Sequence, residues 1–153
     1  MATIRPQFAA LWMRFHELGH TAAAVAARLG GAVADEIQSA ALRDLGALRL
    51  SYALRAGGLV IPSGTHTTLK SADGASYFHR VRDIAPFLAQ HFGTADFVVG
   101  EHSDRGWSDR KGVLLSRSPL SMQGGFVTLW NGRHGASPVP LAAARGVQFW
   151  TLA

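Results

Sequence analysis

The side chains able to do chemistry in this 153-residue chain are histidines, serines and carboxylates, because it contains no cysteine. That composition excludes disulfides, thiolate metal sites and thiol catalysis. The densest cluster is His16-Glu17-Leu18-Gly19-His20, an H-E-x-x-H pattern. On a continuous helix, histidines four apart share a face and can hold zinc, with the glutamate as general base. Three local features oppose that chemistry. Arg14 stands where zinc-protease helices keep an uncharged residue, Gly19 followed by Thr21 reads as a helix break and a fresh cap, and no third ligand stands out downstream. His16, Glu17 and His20 are therefore expected to form a helix end with a partly exposed histidine pair. A zinc site is the alternative, and no cofactor is expected.

The remaining candidates are more scattered. Ser39 is expected to be a loop or cap serine. Ser51, inside a helix, should bond back to a carbonyl or face a neighbour. His66 and His102 fall in polar stretches and are read as solvated. Trp107, within Arg105-Gly106-Trp107-Ser108-Asp109, is either a binding anchor or a side chain packed over a sheet.

The elements that must position these groups are legible in the apolar pattern. Hydrophobic residues make up 48% of the chain and charged residues 16%, enough for a real core. Pro6 is expected to open a first helix with Phe8, Leu11, Trp12 and Phe15 on one face. Thr21 should cap a second that runs to Leu29 and stops at Gly30-Gly31. Asp44 should cap a third, Leu45 to Arg55, apolar on both faces and hence central and buried. A short strand is expected at Leu59–Ile61, a surface loop at 63–75, an extended stretch at Tyr77–Val81, and a helix capped by Asp83 and ending before Gly93. Strands are expected at Phe97–Val99, Val113–Ser116, Phe126–Trp130 and Val147–Leu152. Helices first and strands later predict an α+β domain with a mainly antiparallel sheet, spanning 1–153 as one unit.

Charge sets the partner classes. Fifteen basic against ten acidic residues give a net charge of +5, which favours anionic partners. The arginines stand singly with no basic run interleaved with aromatics, so no nucleic acid is expected. No apolar stretch approaches the roughly 20 residues of a membrane span. The opening MATIRPQF lacks the apolar run and cleavage site of a leader, so any export is expected to use a route without one.

Several segments, in order, carry a family likeness: Arg5-Pro6-x-Phe8-x-x-x-Trp12; Ala26 to Gly30-Gly31-x-Val33; Ala47-Leu48-Arg49-Leu50-Ser51-Tyr52-x-Leu54; Tyr77-Phe78-x-Arg80-Val81-x-Asp83; Phe92-Gly93-x-x-Asp96; and Lys111-Gly112-Val113 with Leu129-Trp130-Asn131-Gly132. Across nearly its whole length the chain resembles the fourth class of type VI secretion amidase effectors, small papain-like cysteine amidases distantly related to NlpC-type wall peptidases. The resemblance implies a central buried helix packed on the sheet. It also implies a cysteine nucleophile at that helix's N-terminus, a histidine base four residues before Trp-Asn-Gly, and an acidic orienting residue in the following loop.

At those positions this chain has Gly46, Phe126 and the carboxylate-free stretch Gly132-Arg133-His134-Gly135-Ala136-Ser137-Pro138; the family's cysteine pair in this loop is also missing. Glycine cannot attack a carbonyl and phenylalanine cannot move a proton. The expectation is a pseudoenzyme with no catalytic residues, acting by binding wall peptide, an immunity protein or secretion machinery. Its cleft would be lined by Asp44, Arg49, Trp130, Asn131 and His134. If effector-like, it would act in the periplasm of a target cell; otherwise it is expected to be cytoplasmic. The alternatives are an active toxin with rewired or zinc-dependent chemistry, and a decoy or regulator that captures an immunity protein. A cleft filled by the Phe126 ring would mean a dead site; an open one would mean ligand binding or new chemistry.

Overall fold

Apolar residues at helical spacing place the first element. In the computed structural model, which describes residues 5–39, 45–64, 67–101, 105–118, 124–137, 139 and 145–153, α1 spans Phe8–Glu17 and buries Phe8, Leu11 and Phe15. Its N-cap is Gln7, so Pro6 precedes the helix rather than opening it. The Phe8 amide, an orphan donor at the helix start, donates to the Ala153 carbonyl at 2.9 Å. Gly19 then takes φ 110°, a left-handed conformation that ends the helical path. Helix α2 (Ala22–Leu29) starts under a Thr21 side-chain cap, whose oxygen accepts from the Ala24 amide at 3.1 Å.

The double glycine does more than stop α2. Gly30 and Gly31, at φ 62° and 58°, reverse the chain, and the second begins α3 (Gly31–Gln38), a helix that the sequence pattern did not predict. A Cβ on Gly31 would lie 2.7 Å from the Ser71 carbonyl carbon, so only glycine permits this approach. Val33 and Ile37, four apart, bury the inner face of α3.

Helix α4 (Gly46–Ala56) is the central one. Gly46, Ala47, Leu48, Arg49, Leu50, Ser51, Ala53 and Leu54 are all buried. Ala47, Leu50 and Leu54 face the main core, whereas Leu48 faces a second cluster with Val25, Leu29, Val33 and Ile37. The expected cap, Asp44, lies outside the described residues. The Ser51 hydroxyl donates to the Ala47 carbonyl (2.7 Å) and accepts from the Phe78 amide (3.0 Å), tying α4 to the hairpin of β1 (Thr68–Lys70) and β2 (Ser76–Phe78).

Two short expectations change here. Leu59–Ile61 is not a strand: Ile61 packs into the core without strand pairing. Strand β1 instead arises within the polar stretch read as loop, its side chain Thr68 buried. Helix α5 (Val81–Phe92) begins after Arg80, which occupies the cap position; Asp83 is its third residue, paired with the Arg80 Nε at 2.6 Å. A carboxylate in the first turn favours the positive end of the helix dipole without capping it.

The last third forms an antiparallel sheet of β3 (Phe97–Glu101), β4 (Lys111–Arg117), β5 (Gly125–Asn131) and β6 (Arg145–Thr151), in the order β3-β6-β4-β5. Its two faces are distinct. Val113, Leu115, Val127, Leu129 and Trp150 join the cluster of α1, α4 and α5. Leu114, Phe126, Trp130, Val147 and Phe149 point the other way and are covered by Trp107. Double-sided burial explains why β4 and β5 read as continuous apolar runs rather than alternating ones.

Candidate functional site

Gly46 is the first residue of α4, where the helix dipole creates a positive potential. It is buried but offers no side chain to that potential. One turn on, Arg49 is only 3% exposed. Its Nε donates to the Phe15 carbonyl and its Nη2 to His20 Nδ1, both at 3.2 Å, and its guanidinium lies 4.1 Å from the centre of the Phe15 ring. Burial lowers the Arg49 pKa to about 10. Among the described residues, no carboxylate forms an ion pair with Arg49.

An arginine can only donate, so His20 Nδ1 must be the acceptor and the imidazole neutral. The guanidinium of Arg49, then burial, then His16 hold the His20 pKa below the ordinary range. His16 donates from Nδ1 to the Trp12 carbonyl at 2.8 Å and meets His20 edge-on with ring centres 5.1 Å apart. Glu17 is occupied as well. Its Oε1 accepts from the Tyr52 hydroxyl (2.7 Å) and Arg28 Nη2 (2.9 Å), and its Oε2 from Arg14 Nη1 (2.9 Å). The H-E-x-x-H residues are thus split by the Gly19 turn. A dication between the histidines would face Arg49, and the glutamate is held by three donors. This donor set does not fit zinc.

Phe126 is 7% exposed and sits with Trp107, Trp130 and Phe149 on the sheet face turned away from the α4 cluster. Its ring is not part of the core that α4 joins. Trp107, 1% exposed, proves to be packed over the sheet: it stacks on Phe149 (5.5 Å, 22°) and meets Trp130 edge-on (5.2 Å, 79°). Trp130 in turn donates from its indole nitrogen to the Ser108 carbonyl at 2.9 Å.

Beyond Trp130 the chain folds back on itself. Asn131 Oδ1 accepts from the amides of Arg133 and His134, both at 2.9 Å, so Asn131 builds a tight turn. Gly135 bridges to Trp130, and the Ala136 amide donates to the Leu129 carbonyl at 2.8 Å. Between this returning segment and Trp130 opens a cavity of about 370 Å³, lined by Trp130, Arg133, His134, Gly135, Ala136, Ser137 and Val139. Of the expected cleft residues, Trp130 and His134 line it. Arg49 and Asn131 do not: one is turned into the α1–α4 junction, the other into its own turn. Asp44, His66 and His102 lie outside the described residues. Ser39 donates to the Glu36 carbonyl (2.8 Å) at the end of α3 and Ser51 braces α4, as a cap serine and a back-bonded serine should. Sequence reasoning took Arg133, Ala136 and Ser137 only as part of a stretch that lacks an acid and missed Val139; the Trp130–Gly135 bridge is what turns this segment onto Trp130.

A family model for the type VI secretion system amidase effector protein 4, Tae4, matches residues 43–150. The chain belongs to the Tae4 family. The crystal structure of the Tae4 effector from Enterobacter cloacae is 29% identical, with 100% of this chain and 100% of that one covered and a TM-score of 0.86. Tae4 in the effector–immunity complex Tae4–Tai4 from Enterobacter cloacae is 28% identical over 98% of this chain and 100% of that chain, with a TM-score of 0.84. The Salmonella typhimurium Tae4, in complex with the immunity protein Tai4 from Enterobacter cloacae, is 26% identical over 97% and 100%, with a TM-score of 0.83. None of the curated proteins compared with the chain matches it. Its α+β architecture, a central helix on an antiparallel sheet, is the papain-like, NlpC-type amidase fold of Tae4.

Proposed function

We propose that this chain is a catalytically degenerate Tae4-family protein, a single domain over 1–153, that acts by binding rather than by hydrolysis. One observation carries this: the residue at the start of α4, where the resemblance puts the nucleophile, is Gly46. Two others agree. The residue that the resemblance puts at the base position, Phe126, is apolar and its ring lies on the sheet face turned away from α4, so no base faces Gly46 from that position. The loop that would supply the orienting acid holds Arg133 and His134 instead. Removing a nucleophile together with its base costs several orders of magnitude in rate. The rewired zinc hydrolase has only the H-E-x-x-H spelling in its favour, and its donors are engaged elsewhere.

Wall peptide is one binding target of this proposal, and delivery by the type VI route to the target-cell periplasm is its setting. An immunity protein is the other; that partner is supported by the relatives that crystallised with Tai4. The test is incubation of purified protein with peptidoglycan, followed by analysis of the soluble fragments. No release of cross-link peptides above a buffer control is expected, alongside retention of the protein on sedimented sacculi or on the neighbouring gene product. Catalytic release of peptides overturns the proposal.

A further inference from the structure

The cavity beside Trp130 has an apolar floor and a cationic rim. Trp130, Ala136 and Val139 supply the floor, Arg133 and His134 the rim, and among the described residues no carboxylate lines it. The rim is set by the turn. Because Asn131 Oδ1 takes two backbone amides, its NH₂ group faces His134 Nε2 at 3.4 Å. His134 Nε2 is then the acceptor and the ring proton sits on Nδ1, so even the neutral imidazole keeps a donor. The ring is also steadied edge-on by Trp12, centre to centre 6.1 Å. Arg133 is exposed and adds a guanidinium whose planar fork matches a carboxylate.

From this arrangement we infer that the cavity is a carboxylate-binding site for the end of a short peptide. The terminal side chain lies against Trp130, Ala136 and Val139, and the carboxylate meets Arg133 and His134. A volume of about 370 Å³ is at the small end of ligand sites, suited to one or two residues rather than an extended segment. The assignment deepens the proposed function and rests on its premise that this fold acts by binding.

The probe is N-acetyl-alanyl-alanine, compared with its C-terminal amide, titrated against isotope-labelled full-length protein by NMR. Saturable shifts are expected at the Trp130 indole and the His134 ring with the acid. Binding should be at least about tenfold weaker for the amide, the factor that loss of one charge-assisted hydrogen bond produces. The Arg133→Gln variant, changed at an exposed position, should show the same loss while folding normally. Equal binding of acid and amide, an unaffected Arg133→Gln variant, or no shift at Trp130 each overturns the carboxylate assignment. Retention on sacculi or on a protein partner in that event leaves the binding function standing; hydrolysis of peptidoglycan removes the function itself.

Discussion

At the scale of single residues, the contact between Arg49 and His20 has the clearest chemical consequence. The bond exists only while His20 is neutral, and protonation would put two cations 3.2 Å apart beside a third group, His16. Because the folded-state pKa of His20 is depressed, the unfolded chain binds the proton more readily. The stabilisation is therefore complete above the ordinary imidazole value of about 6.5 and is lost as pH falls through the lower folded value. The half-buried His79 is depressed by burial and adds a loss of the same sign. Thermal unfolding should accordingly drop on acidification from pH 7.5 toward 5, and His20→Gln, which keeps an acceptor, should drop less. An NMR titration giving His20 an ordinary or raised pKa would contradict this. None of it was readable from the H-E-x-x-H spelling, because Arg49 lies in a different helix and only packing brings it to His20.

At the scale of elements, α4 was the most legible part of the molecule. Its two apolar faces demanded burial on both sides, and the structure supplies a separate cluster for each. Helix α3 was illegible for a definite reason. A Gly-Gly pair after an apolar turn ordinarily ends a helix, and the close approach that makes Gly31 a starting residue depends on the distant Ser71. Strand β1 escaped because a three-residue strand in a polar stretch has too few side chains to show a period. Phe126 and Trp130 were assigned to the right strand, but the sheet face that each occupies needed the register with β4. The position of Gly46 at the head of α4 yields a second expectation. Gly46→Cys should create a thiol with a pKa below the free value of about 8.5, lowered by the helix N-terminus. Its alkylation by iodoacetamide across pH will show this, and an unshifted thiol would mean that the helix end exerts no such field. With Phe126 unchanged there is no base, so the same variant should still release no wall peptides.

At the scale of the whole molecule, the first and last elements are fastened together. Arg5 donates to the Phe92 carbonyl (2.9 Å) and the Thr151 carbonyl (3.0 Å) and pairs with Asp96, which also accepts from the Thr151 amide at 2.7 Å. Burial alone would raise the Asp96 pKa, but the hydrogen bonds from Arg5 and Thr151 prevail and lower it. Its stabilisation is present above the ordinary carboxylate range and disappears as pH falls through the depressed folded value. Asp96→Ala should cost about 1 kcal/mol near neutral pH in urea unfolding, the usual size for a partly exposed charged hydrogen-bond pair. The difference from the parent chain should shrink by pH 3; a difference that persists there would mean that packing, not charge, is lost. The cationic excess that composition showed is spread along the chain, and only the turn back onto Trp130 sets Arg133 at the rim of a cavity.

The aromatic layer on the sheet's outer face gives the protein its own optics. Trp107 is dry and fixed, while its edge-on neighbour Trp130 forms a wall of the cavity. With the two rings 5.2 Å apart, their excited states couple, so the near-ultraviolet dichroism of the pair responds to small rotations of Trp130. Occupancy of the cavity is therefore written into the intrinsic spectrum of the chain, without any added label.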